Sequence, residues 1–89
     1  MEVELVEPLT EDGLERLIVL ILCREGPLNS AGILERLRRA GNMVGEKRLQ
    51  RVLRSMVARG LVARLDGRFE TGSRVYRIVY WVPRDACPA

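Results

Sequence analysis

The sequence predicts an α+β fold, a three-helix core followed by a C-terminal β-hairpin, in a single domain spanning residues 1–89. Three observations carry that reading. The first sixty residues hold three segments whose apolar side chains recur at helical spacing, each bounded by a cap and a stop. After Gly60 the period shortens to two, and β-branched and aromatic residues take over. A hydrophobic fraction of 47% over this length supplies one modest core and no second one.

The elements follow in order. The opening "MEVELVEPL" alternates Val3 and Leu5 with acids and closes at Pro8, so residues 1–9 read as a short strand or an arm. Thr10 caps the first helix, with Glu11 and Asp12 placed where the helix dipole favours acids. That helix runs to about Arg24, before Glu25-Gly26-Pro27 stops it. Leu14, Leu17, Ile18, Ile21 and Leu22 form its broad inner stripe, yet Val19, Leu20 and Cys23 lie on the opposite side. A helix apolar all round requires cover on two sides. Leu28 sits in a linker long enough for a brief extended piece.

Asn29 or Ser30 caps the second helix, about Ser30 to Ala40, with Ile33, Leu34 and Leu37 inward and Arg36, Arg38 and Arg39 at its edge or outside. Gly41 ends it, and Asn42-Met43-Val44 leads to a third helix at about 45–59, stopped by Gly60. On that helix Leu49, Val52, Leu53, Met56 and Val57 share one side. Lys47, Gln50, Arg51 and Arg54 fall within roughly a quarter turn of one another on the other. The runs "LVARL" and "RVYRIVYWV" then form a hairpin, and "DGRFETGS" between them reads as a long, glycine-containing tip, about 66–74. Tyr76, Ile78, Tyr80 and Val82 alternate onto one face, and Val75, Val79 and Trp81 onto the other. Residues 83–89 make a tail.

Charge is distributed unevenly along the chain. Residues 1–30 hold seven acids against Arg16 and Arg24, whereas residues 31–89 hold thirteen bases against five acids. Such an asymmetry points to a polyanionic partner. Lys47 is the sole lysine, there is no histidine, and amides are scarce. A hot-living source would favour that composition, and so would a GC-rich genome.

Other classes fall away. Cys23 and Cys87 do not make a disulfide framework; Cys23 reads as a small hydrophobe within its helix, and Cys87 belongs to a proline-flanked tail. With no histidine and no paired cysteine motif, no metal site is expected and no cofactor is implied. Thr10, Ser30, Ser55 and Ser73 have no histidine to act as base, so the chain does not read as an enzyme. The apolar run Leu17 to Cys23 is too short to span a bilayer, and no signal-peptide pattern opens the chain; the expected location is the cytoplasm.

The segments "SAGILERLRRAG" and "EKRLQRVLRSMVARGLV", with the hairpin after them, resemble the winged helix-turn-helix superfamily over nearly the whole chain. The Arg-Gly-Leu-Val exit of the third helix is similar to that of MarR-like transcriptional regulators. Asp66-Gly67-Arg68 is similar to the Asp-x-Arg element at the tip of their wing. The long flanking dimerisation helices of larger MarR-like proteins are not present in this sequence.

The resemblance implies a DNA-binding regulator, with the third helix in the major groove of double-stranded DNA and the wing on the backbone or minor groove. Lys47, Arg48, Gln50, Arg51 and Arg54 are its expected helix contacts, and Arg68 and Arg74 its wing contacts. Two plainer readings stand beside it. A basic face can be simply solvated, and Arg64 and Arg77 can serve only to guard a strand edge. The same fold can also dock proteins within a larger nucleoprotein complex. The surplus apolar residues Val19, Leu20, Cys23, Val79 and Trp81 predict a homodimer interface, unless the amino-terminal arm covers them. That acidic arm is expected to lie away from the DNA.

Overall fold

The computed structural model describes residues 9–88. Helix α1 spans Glu11–Glu25, α2 Ser30–Arg39 and α3 Glu46–Ala58; strands β1 and β2 span Ala63–Thr71 and Arg74–Trp81, and a 3-10 turn, η1, covers Arg84–Ala86. This is the winged helix-turn-helix arrangement that the sequence predicts. Three helix boundaries have a clear local cause. Thr10 Oγ1 accepts the amide of Gly13 at 3.0 Å, and Asn29 Oδ1 accepts that of Gly32 at 2.9 Å. At the end of α3, Gly60 takes φ 76°, so that Leu61 N–H donates to Met56 O at 2.9 Å and the helix stops.

The core is the meeting of three stripes. Leu14, Ile18 and Leu22 come from α1, Ile33 and Leu37 from α2, and Leu49, Val52, Leu53 and Met56 from α3. Val44, Val62, Tyr80 and Val82 close the cluster, which ties the base of the hairpin to the helices. Leu28 forms the expected extended piece. It pairs with Tyr80 in the antiparallel sense, through N–O distances of 3.1 and 2.7 Å, and so anchors β2 beside α1.

The hairpin departs from its sequence reading. The segment expected as an open tip is mostly strand, and the chain reverses in two residues at Gly72-Ser73, with Gly72 at φ 62°. Asp66-Gly67-Arg68 therefore lies within β1 and not at the wing tip. The register changes between Asp66 and Phe69, where Gly67 and Arg68 oppose Arg77 alone. That is a β-bulge. In an unbulged register Phe69 would oppose Val75 and point to the opposite face; the bulge instead pairs it with Tyr76. An Asp-Gly pair is a turn signal when read locally, but here cross-strand pairing absorbs it.

The cysteines also depart from expectation. Cys23 and Cys87 form a disulfide, with an S–S distance of 2.08 Å and a Cα–Cα separation of 5.6 Å. Pro83 and the 3-10 turn fold the tail back across α1, which brings together two residues 64 apart in sequence. The second apolar side of α1 is thereby partly occupied from within the chain.

Candidate nucleic-acid interface

Helix α3 presents the site. Its inward residues Leu49, Val52, Leu53 and Met56 fix the rotation of the helix, since all four are buried. Lys47, Arg51 and Arg54 must then face solvent, and all three are exposed, with Gln50 half-buried beside them. Gly45 caps the helix with no side chain, which leaves its amino end unobstructed.

The donors differ in what already holds them. Gln50 Nε2 donates to Ser30 Oγ at 3.0 Å, which fastens it to the start of α2. Arg51 Nη2 lies 3.6 Å from Glu11 Oε1 of α1, with both side chains largely exposed. Arg54 and Lys47 have no ion-pair partner among the described residues. Arg48 stands apart. It turns away from the other four, is half-buried, and donates to the carbonyl oxygen of Leu9. The structure thus brings together Lys47, Gln50, Arg51 and Arg54 but places Arg48 against the end of the amino-terminal arm.

Between α3 and the hairpin lies a cleft of about 320 Å³, lined by Ser30, Gln50, Arg54, Val57, Arg64, Ile78 and Tyr80. Arg64 and Tyr80 are direct cross-strand partners, so both project toward the helix from one face of the sheet. Alternation puts Tyr76 and Arg74 on that same face. Arg74 adjoins the Gly72-Ser73 turn and is exposed, which places it at the far end of the wing. Arg68 sits at the bulge and is occupied by Glu70, 2.9 Å away.

Sequence reasoning missed three members of this site. In the sequence Ser30 reads as a cap, Arg64 as an edge charge and Tyr80 as one of an alternating strand face. Each gains its place from tertiary packing across elements, for which the sequence holds no local signal. The acids of α1 also come closer than expected: Glu11 meets Arg51 and Glu15 meets Arg59. Residues 1–8 of the acidic arm, expected to lie away from the DNA, fall outside the described residues.

The residues expected at a dimer interface divide. Val79 is buried and Cys23 is bonded to Cys87, so neither offers a free surface. Leu20 and Trp81 remain exposed at 45% and 39%, with Val19 half-buried. Among the described residues no group of side chains could hold a metal ion, and no helix is long and apolar enough to cross a membrane.

No protein-family model matches this sequence, and no curated protein matches it either. A solved structure is similar: the crystal structure of a PadR family transcriptional regulator from Eggerthella lenta DSM 2243. The match has a TM-score of 0.60 at 22% identity and covers 85% of this chain. This chain spans 64% of that protein's length. At such identity the likeness is one of fold, and it agrees with the order of three helices and a wing.

Proposed function

We propose that this protein is a sequence-specific DNA-binding transcriptional regulator that uses α3 as its recognition helix. The observation that carries the reading is the face formed by Lys47, Gln50, Arg51 and Arg54, exposed along one side of a helix whose other side is locked in the core. A helix of this kind fits the major groove, where arginine takes guanine bidentately and glutamine takes adenine. Gln50 releases Ser30 to read a base. Arg68 and Arg74 contact phosphate or the minor groove from the wing. The neighbour's description as a transcriptional regulator supports the same reading, as does the resemblance to MarR-like regulators.

The protein acts as a homodimer through Leu20, Trp81 and Val19, with two recognition helices about 34 Å apart on a palindromic site. Binding to duplex DNA across a salt series tests the main claim. Four phosphate contacts per protomer give a slope of roughly −3.6 in log affinity against log salt, or about a hundredfold loss between 50 and 200 mM. Absence of binding at low salt would overturn the reading and favour a protein-docking module.

The division of labour is tested by substitution. Gln50→Ala or Arg51→Ala changes which sequence is preferred, by about 1–3 kcal/mol at the affected base. Arg68→Ala or Arg74→Ala weakens specific and random DNA alike. Equal behaviour of all four variants would refute the assignment.

A further inference from the structure

We propose that the Cys23–Cys87 disulfide is a redox latch, which holds the C-terminal tail against the outer side of α1 and releases it when a dithiol reduces the bond. The argument begins with how little else fastens the tail. Ala86 N–H donates to Pro83 O at 2.9 Å, Cys87 N–H to Arg84 O at 3.2 Å, and the Cys87 sulfur lies 3.6 Å from Pro83 O. All of these contacts are internal to the tail. Among the described residues, no hydrogen bond or ion pair joins residues 83–88 to the rest of the chain. No residue of η1 is buried. The covalent bond, with apolar contact around Cys87, is therefore the tail's main attachment.

A definite hinge bounds the released piece. Val82 is 4% exposed and belongs to the core cluster, so the chain stays anchored up to that point. Pro83 then starts the tail. The surface beneath is an apolar groove of about 480 Å³, with Ala86, Cys87 and Pro88 as one wall and Val19, Leu20 and Leu61 opposite. Opening the latch removes the first wall and bares the second.

The chemistry is ordinary thiol–disulfide exchange. Neither cysteine is fully buried, and the attack of a thiolate on one of the two sulfurs starts the exchange. That attack gives a mixed disulfide and frees one protein thiol. The second thiol of the reductant then resolves it. The dithiol gives up two electrons and two protons and becomes a disulfide, and Cys23 and Cys87 become thiols. A dithiol of sufficiently low potential opens the bond, and an oxidant closes it.

Hydroxyl-radical footprinting of the oxidised protein and of Cys87→Ser tests the latch, with Leu65 on the wing as internal reference. At a concentration dilute enough to keep the protein monomeric, Leu20 and Leu61, 45% and 43% exposed in the single chain, are expected to rise in labelling. Leu65 is expected unchanged and the helical circular dichroism retained. A chain ended after Pro83 is expected to give the same footprint, since it lacks the tail altogether. Unchanged labelling of Leu20 and Leu61 in Cys87→Ser would overturn the proposal. Rising labelling of core residues such as Leu37 and Leu53, or loss of helix, would overturn it also, because the bond would then be a global staple. Two titratable thiols in the air-oxidised wild type would show that the latch does not close.

Discussion

Breaking the disulfide has a stability consequence distinct from release of the tail. The bond links residues separated by 64 positions, so its loop encloses α2, α3 and both strands. In the chain-entropy account, a loop of that length removes about 4 kcal/mol of freedom from the unfolded ensemble. A domain of this size has roughly 5–13 kcal/mol of total stability. Reduction therefore takes away a third or more of it, yet leaves a folded protein at room temperature. With an unfolding entropy of roughly 0.19 kcal/mol/K for a chain this long, the melting temperature falls by roughly 20 °C. Thermal melts by circular dichroism, with and without reductant and on Cys87→Ser, measure the shift. The drop is expected to be independent of protein concentration, because the bond is within one chain. Reduced protein and Cys87→Ser melting within about 5 °C of the oxidised form would refute the entropic argument.

Three other outcomes are expected. Gly60→Ala forces a side chain into φ 76° and lowers stability by about 1 kcal/mol in a denaturant titration, with no change in slope. Glu11→Gln removes the acid beside Arg51 and raises duplex affinity by up to about fivefold at low salt, an effect that vanishes at high salt. Leu20→Glu places a charge on the exposed side of α1 and converts the proposed dimer to monomer in sedimentation at micromolar concentration; a wild type that is itself monomeric there would defeat the dimer.

The sequence disclosed what is decided locally. Thr10 and Asn29 act as caps because a short side-chain oxygen reaches an amide three residues on, and Gly60 ends α3 because a left-handed residue costs it nothing. The rotation of α3 was legible for a related reason: helical period alone separates Leu49, Val52, Leu53 and Met56 from the donor face. What stayed hidden depends on distant partners. Asp66-Gly67 carries a turn signal, and only the pairing of Phe69 with Tyr76 converts it to a bulge. Cys23 lies in an apolar helix and Cys87 in a tail, and nothing near either residue announces the other. Arg48 and Arg51 look alike in sequence, but one meets the Leu9 carbonyl and the other a carboxylate.

The uneven charge along the chain does not become a clean separation in space. Acids from α1 lie against bases on, or just past the end of, the next two helices: Glu11 on Arg51, Glu15 on Arg59, and Glu25 on Arg36. Their effect on a polyanion depends on exposure. The Arg51 and Glu11 side chains are 68% and 64% exposed, so water and salt screen the pair, and it holds Arg51 with at most about 1 kcal/mol. A duplex presents many phosphates at fixed spacing and gains from counterion release at each one, so it displaces a single carboxylate at small cost. Glu11 consequently tunes Arg51 without blocking it, and the same reasoning applies to Glu70 on Arg68 at the wing. In the proposed complex Lys47, Arg54 and Arg74, which have no ion-pair partner among the described residues, meet no such competition. The proposed interface thus has two grades of cation, and the handicap of the acid-paired grade should fade as salt rises and screens the carboxylates.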